Sequence, residues 1–326
     1  MLLRTRVCEL FGVEHPVLLG GMSTHTNPEM VSGVSGAGGL GILGCARMSP
    51  QAVARNAQEI RSRTDRPFGM NLLLFLADDE AISSVLGASP AVLSTGWGFP
   101  QMELGPIFVR AHEAGVKVVH MASTVAEAQR AVEAGADVIV AQGTEGGGHV
   151  GVMGTMPLVR MVVKAVDPVP VVAAGGVGDG AGLAAALALG GEGVLLGTRF
   201  LASPESPLSS DKKQAILDSD GHDTALTEIP DLISGRVWPG AYARTKRNQL
   251  IEDWLGREGE LRYRRTEVAA SVEEAHRTGD PDNSVLYTGE TAGLINDIQP
   301  VGDIVRNIVE EAESILGERL PRMLGS

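Results

Sequence analysis

The stretches Glu133-Ala-Gly-Ala-Asp-Val-Ile-Val140 and Leu189-Gly-Gly-Glu-Gly-Val-Leu-Leu196 repeat one device: a helix ends at glycine and a buried apolar strand follows at once. Working outward, apolar runs of strand length stand at about 16–20, 40–43, 68–73, 91–94, 116–120, 137–141, 169–174 and 193–196. Between them lie helical segments: 28–37 after a capping Asn27, 49–62 opened by Ser49-Pro50, and 124–134, where Thr124 and Glu127 have capping-box spacing. Strands that alternate with single helices demand a parallel sheet, and eight such units favour closure into an α/β (β/α)8 TIM barrel. An open dinucleotide-binding sheet would carry its glycines after the first strand, whereas here they follow the seventh and eighth.

The stretch 205–298 breaks the repeat, with Ser203-Pro204 and Ser206-Pro207 at its start and helical stretches at 211–218 and 241–255. It reads as a mainly helical insertion that caps the C-terminal mouth of the barrel. The segment 303–316 sets Ile304, Val305, Ile308, Val309, Ala312, Ile315 and Leu316 on one face, as an eighth barrel helix requires. The expected organisation is therefore a barrel of 1–204 plus 299–326 and a cap of 205–298.

Composition narrows the function. A chain of 326 residues with 44% hydrophobic and 21% charged residues suits a soluble α/β enzyme, and 42 glycines suit its turns. A net charge of −13 argues against a nucleic-acid partner. The densest basic region, Lys246, Arg247, Arg262, Arg264 and Arg265, is interleaved with Glu252, Asp253, Glu258 and Glu260 and reads as solvated surface. Cys8 and Cys45 have no metal or redox spacing and read as buried thiols. The N-terminus has no long apolar run, and no stretch of 18 apolar residues occurs, so a cytoplasmic enzyme without a membrane partner is expected.

Two sequences carry chemistry. Gln142-Gly-Thr-Glu-Gly-Gly-Gly-His149 sets one histidine in a loop with too little bulk to bury it, on the barrel face where such enzymes work. His149 is the candidate acid or base. Ala173-Ala-Gly175-Gly176 and Gly197-Thr198 end consecutive strands and offer bare backbone N–H groups and a hydroxyl to a phosphate. Asn71 and Gln142 close strands three and six, and their carboxamides suit a heteroaromatic ring with imide groups. Glu145 reads as a loop charge, and His120 is open between the pocket and the core. No metal cluster or nucleophile triad can be assembled.

These residues, with Pro16-Val-Leu-Leu-Gly-Gly-Met22, Pro67-Phe-Gly-Met-Asn71 and Gly193-Val-Leu-Leu-Gly-Thr-Arg-Phe200, resemble the nitronate monooxygenase family over nearly the whole chain. The resemblance implies FMN, held by Met22, Asn71, Gln142 and Gly147 around the flavin and by Leu195, Leu196, Gly197, Thr198, Gly175 and Gly176 at its phosphate. It also implies that His149 abstracts a proton or orients a nitronate, which O2 helps oxidise to a carbonyl compound and nitrite. Two departures stand in the loop: Gly146 replaces the usual alanine, and Val150 replaces an arginine.

The same histidine loop occurs in flavin-dependent enoyl-acyl-carrier-protein reductases and NADH:quinone reductases. The alternative substrates are thus a quinone or enoyl thioester with NAD(P)H. A glutamate often stands at the position of Gln142 in the enoyl reductases, which favours the monooxygenase. A non-flavin barrel acting on a phosphorylated metabolite and a catalytically silent FMN-binding module are further alternatives, and a homodimer is left open.

Overall fold

Parallel strands of short apolar residues cannot stand alone, because their faces and edges both need cover. In a computed structural model, which describes residues 3–323, the chain solves this by curling eight of them into a barrel. The outermost five residues of the expected 1–204 and 299–326 barrel segments, two at the start and three at the end, lie outside the described residues.

The barrel strands are β1 (Val17–Leu19), β2 (Gly41–Gly44), β3 (Phe68–Leu73), β4 (Val92–Gly96), β5 (Lys117–Ala122) and β6 (Val138–Gln142). After a short excursion strand β7 (Gly148–Val150), β8 (Val171–Ala174) and β9 (Val194–Leu196) complete it. Every barrel pairing is parallel, in the order β1-β9-β8-β6-β5-β4-β3-β2, and a bridge between Leu18 and Leu40 brings β2 back to β1. This is the TIM-barrel type of α/β fold anticipated from the spacing.

Alternation along each strand separates two apolar layers. Leu18, Leu40, Ile42, Val119, Val138, Val140 and Val172 fill the interior, where Val7, Cys8, Phe11 and Val13 join them from below. The helix Arg6–Phe11, which periodicity did not reveal, seals the N-terminal end of the barrel in this way. Leu43, Met70, Leu93, Val118, Ile139 and Leu196 face outward to the helices. Both cysteines are buried, and burial pushes the Cys45 thiol up to about 12.

The helix starts follow their caps. Asn27 accepts from Met30 N–H at 2.8 Å, and Thr124 and Glu127 form a reciprocal capping box. At the two repeated helix ends, Gly135 and Gly190 take φ of +103° and +92°, which side chains rarely tolerate. The last barrel helix is Val301–Ser314, and Gly180 lets it approach: a Cβ there would lie 2.5 Å from the Ile308 carbonyl oxygen.

Between β9 and that helix the chain is mainly helical, including Ser210–Leu217 and the long helix Glu258–Thr278. It also carries β10 (Thr224–Thr227) and β11 (Tyr242–Lys246), so the expected helix over 241–255 is a strand followed by the helix Gln249–Trp254. Tyr242 and Thr245, an aromatic and a β-branched residue, favour the strand. Ile229, Ile233, Ile251, Trp254, Leu261 and Val272 form a separate apolar cluster. Several basic residues of this segment meet acids: Arg247 pairs with Glu252, and Arg264 with Glu260 and Glu267.

His120 lies in the core and does not line the pocket. Its Nδ1 is 2.8 Å from Thr95 Oγ1, its ring packs on Phe108, and burial lowers its pKa from 6.5 to about 4. Unfolding therefore takes up a proton at this ring between those pH values, so its contribution to stability falls as pH falls. In His120→Gln, the loss of unfolding free energy between pH 7 and pH 5, measured in urea, should shrink by about 2 kcal/mol; an unchanged loss would place the proton uptake elsewhere.

Candidate active site

The C-terminal ends of the barrel strands open into a cavity of about 560 Å³, a volume ordinary for a cofactor with a small substrate. Met22, Asn71, Gln142, Gly147, His149, Gly175, Gly176, Leu195, Leu196, Gly197 and Thr198 all line it. The fold thus brings together all the residues singled out from the sequence.

On one wall, Gly175 and Gly176 turn the chain after β8 with φ of +85° and +69°. The Gly176 and Val177 N–H groups donate to no carbonyl among the described residues. Thr198, 7% exposed, accepts from Gly289 N–H at 3.0 Å and keeps its own hydroxyl proton to donate. Gly147 has a packing reason as well, since a Cβ there would lie 2.6 Å from Gly289 N.

Across the floor, Asn71 Nδ2 donates to Ser94 Oγ at 3.1 Å, which turns the carboxamide and leaves Oδ1 as its open acceptor. Gln142 Oε1 is buried with no hydrogen-bond partner. A buried amide oxygen without a donor costs about 1–3 kcal/mol. A flat heterocycle with N–H groups, bound over β3 and β6, would satisfy it, and the glycine turns leave the space its phosphate needs.

His149 departs from the expected exposed loop. It sits in β7, which pairs antiparallel with β11 in a three-stranded sheet ordered β10-β11-β7, with His149 opposite Ala243. Its side chain is only 8% exposed. Nε2 lies 2.9 Å from Asp231 Oδ1, and Trp238 stacks on the ring at 3.4 Å between centroids and 8° between planes. The carboxylate accepts from Nε2–H, so in the neutral ring the lone pair belongs to Nδ1. Tyr287 stands 5.7 Å from the imidazole, and burial together with the Asp231 charge holds its phenol well above the usual range. It stays protonated. His25, edge-on to Tyr287, is held below the usual histidine range chiefly by burial.

Glu145, read from the sequence as a loop charge, is a bound one. It accepts from Thr155 N–H at 2.9 Å and Thr155 Oγ1–H at 2.7 Å and so secures the start of the helix Thr155–Val166. Val150 is fully buried, so the family loop's cation is replaced here by hydrocarbon.

Sequence reading did not find Asp231, Trp238, Tyr287, His25, Arg47 or Arg236, most of which come from the cap. One signal was available: aromatics are only 4% of the chain, yet two of its three tryptophans, Trp97 and Trp238, line this cavity. Among the described residues no cluster of ligating side chains could hold a metal, and no helix is long and apolar enough to cross a membrane.

The nitronate monooxygenase profile matches residues 4–85 and 76–311. The chain belongs to the nitronate monooxygenase family. It is an oxidoreductase, and the relationship supports a flavin cofactor. Within its wider kinship, a Rhodococcus jostii protein named (3aS,4S,5R,7aS)-5-hydroxy-7a-methyl-1-oxo-octahydro-1H-indene-4-carboxyl-CoA dehydrogenase is 33% identical, covering 95% of this chain and 96% of that one. A probable nitronate monooxygenase of Staphylococcus aureus is 28% identical over 96% of this chain and 98% of its own. Among solved structures, FabK from Thermotoga maritima superposes with a TM-score of 0.88 at 34% identity, covering 98% of this chain and 99% of that one. Nitroalkane oxidase from Streptomyces ansochromogenes gives 0.83 at 25% identity, covering 95% and 99%.

Replacing Gln142 with Leu removes the orphan oxygen and the ring contact together. The flavin-free protein should gain about 1 kcal/mol of stability, while the flavin retained after gel filtration, read at its visible absorbance, should fall; undiminished flavin would remove Gln142 from the site.

Proposed function

We propose that this chain is an FMN-dependent oxidoreductase acting at the carbon next to the carbonyl of an acyl thioester, with NAD(P)H as its second partner. The observation that carries the reading is the His149–Asp231 pair, oriented on the wall of a cavity that also holds the unsatisfied Gln142 amide.

Bound there, FMN would supply hydride transfer. Gly175, Gly176, Gly197 and Thr198 are the residues for its single phosphate, with Leu195 and Leu196 leading into that turn. Met22, Asn71, Gln142 and Gly147 are those for its ring and chain. Asp231 fixes the ring of His149 through Nε2 and turns Nδ1 toward the cavity. His149 then holds or moves a proton at Nδ1, while Trp238, stacked on the ring, keeps water from it. Protonated Tyr287 is a donor for a carbonyl oxygen.

Two further facts support a thioester. A relative at 33% identity is named for a carboxyl-CoA substrate, and the nitronate and nitroalkane relatives stand at 28% and 25%. The second reading, oxidation of an alkyl nitronate with O2, is favoured by the family match over residues 4–311 and by Arg236 on the cavity wall as a cation for that anion.

Anaerobic mixing of the FMN-loaded protein with NADH or NADPH separates the two. The flavin absorbance should bleach and return on addition of crotonyl-CoA. A flavin that ignores both nicotinamides and is reduced by propyl-2-nitronate would replace the thioester reading with the nitronate one, and failure to retain FMN would end both. His149→Ala and Asp231→Asn should keep FMN and lower turnover, the first by about 10²–10⁴-fold, the second by about 10–100-fold.

A further inference from the structure

We infer that the mouth of the cavity carries a phosphate subsite, built on Arg47 from the barrel and Arg236 from the cap, for the phosphate-bearing handle of an incoming reactant. This rests on the proposed oxidoreductase reading and goes beyond it by naming what holds the part of the reactant that undergoes no chemistry.

Backbone strain is the first observation. Among the described residues only Ser23, Arg47, Ser89 and Trp97 are non-glycine residues with positive φ, and three of these four line the cavity. Arg47 has φ of +61°, a conformation that costs an L-residue about 1–3 kcal/mol. An arginine gains nothing intrinsic there, unlike asparagine or glycine. The turn after β2 holds it so that its exposed side chain stands at the junction of two spaces. One is the cavity; the other is an adjoining groove of about 370 Å³, and both are lined by Ala46, Arg47, Met48, Leu73 and Leu76.

Charge is the second observation. Many surface arginines, such as Arg6, Arg63, Arg110, Arg257 and Arg306, meet a carboxylate, and Arg61, Arg130, Arg160 and Arg265 donate to carbonyl oxygens instead. Among the described residues Arg47 and Arg236 have neither kind of side-chain partner, although the chain carries 40 acidic residues. Asp78 and Glu80 also line the groove; Asp78 is engaged in capping Ala81 N–H at 2.8 Å. On a protein of net charge −13 an anionic reactant is repelled at long range, so cations left open at the entrance decide whether it can dock. Guanidinium forks match phosphate oxygens in pairs.

Arg236 occupies a loop bounded by Gly235 and Gly240, whose φ are +66° and +73°. The same loop places Trp238 on His149. A phosphate held by Arg236 is thereby tied to the element that shields the reacting ring. Two sources share this chemistry: the diphosphate of a coenzyme A thioester and the diphosphate of NAD(P)H.

Calorimetric titration of the FMN-loaded protein with free coenzyme A, pantetheine and NADP+, the non-reducing stand-in for NADPH, tests this without turnover. In Arg47→Gln and Arg236→Gln the Kd of one phosphate-bearing ligand should rise at least 10-fold and lose most of its salt dependence, with pantetheine binding and the Tm unchanged. A rise for coenzyme A assigns the subsite to the thioester, and a rise for NADP+ alone assigns it to the nicotinamide. Equal affinities in native protein and double variant for both would overturn the subsite. Because the readout is binding, a protein that turned over only nitronates while still losing coenzyme A or NADP+ affinity in these variants would keep the subsite and lose the thioester reading.

Discussion

The short antiparallel pairing of β7 with β11 is the contact on which the site depends. A barrel strand delivers side chains only to the rim; a residue meant to stand above the cavity must ride on a loop, and a glycine loop is entropically loose. Pairing residues 148–150 with the strand 242–246 converts that loop into sheet. It also docks the cap onto the barrel, because Arg244 in the same strand reaches Thr144 O at 2.7 Å and pairs with Glu290. Without it neither Asp231 nor Trp238 would have a fixed relation to His149.

Around this pairing the site divides its labour by material. The barrel side is glycine, methionine and carboxamide, surfaces that admit a flat polar ring and a phosphate. The cap side is aromatic: Trp238 packs between His149, Trp97 and Phe75, the last at 4.7 Å. A histidine covered by an aromatic face and joined to a carboxylate is shielded from water while its Nε2–H keeps a hydrogen-bond partner. Strain is concentrated on the same rim, at Ser23, Arg47 and Trp97, and the close-packed double layer of the barrel supports it.

The barrel was legible because its signals are local and repeated. Glycine after a helix, an apolar strand and a capping residue recur in several units, and every one acts within a few residues. The glycine turns at 175–176 and 197–198 were legible for the same reason. The helix Arg6–Phe11 is too short for a period to show, and residues 241–255 mix a strand and a helix in a window that reads as one amphipathic segment. Asp231, Trp238 and Arg236 lie more than 80 residues beyond His149, and no spacing rule links them to it. Only the sheet pairing does. His120 shows the converse: a histidine at a strand end is open between pocket and core until alternation along β5 turns it outward onto Phe108.

The helix Arg6–Phe11 has a consequence for kinetics. Its Val7, Cys8 and Phe11 add a second plug beneath the strand side chains that already fill the barrel interior, so the cavity is a blind well. Everything that reaches the floor must enter and leave by the one rim that the cap overhangs. Under the proposed function, two reactants that both need the same ring then share one entrance, and the order of their visits becomes a property of the architecture as much as of the chemistry.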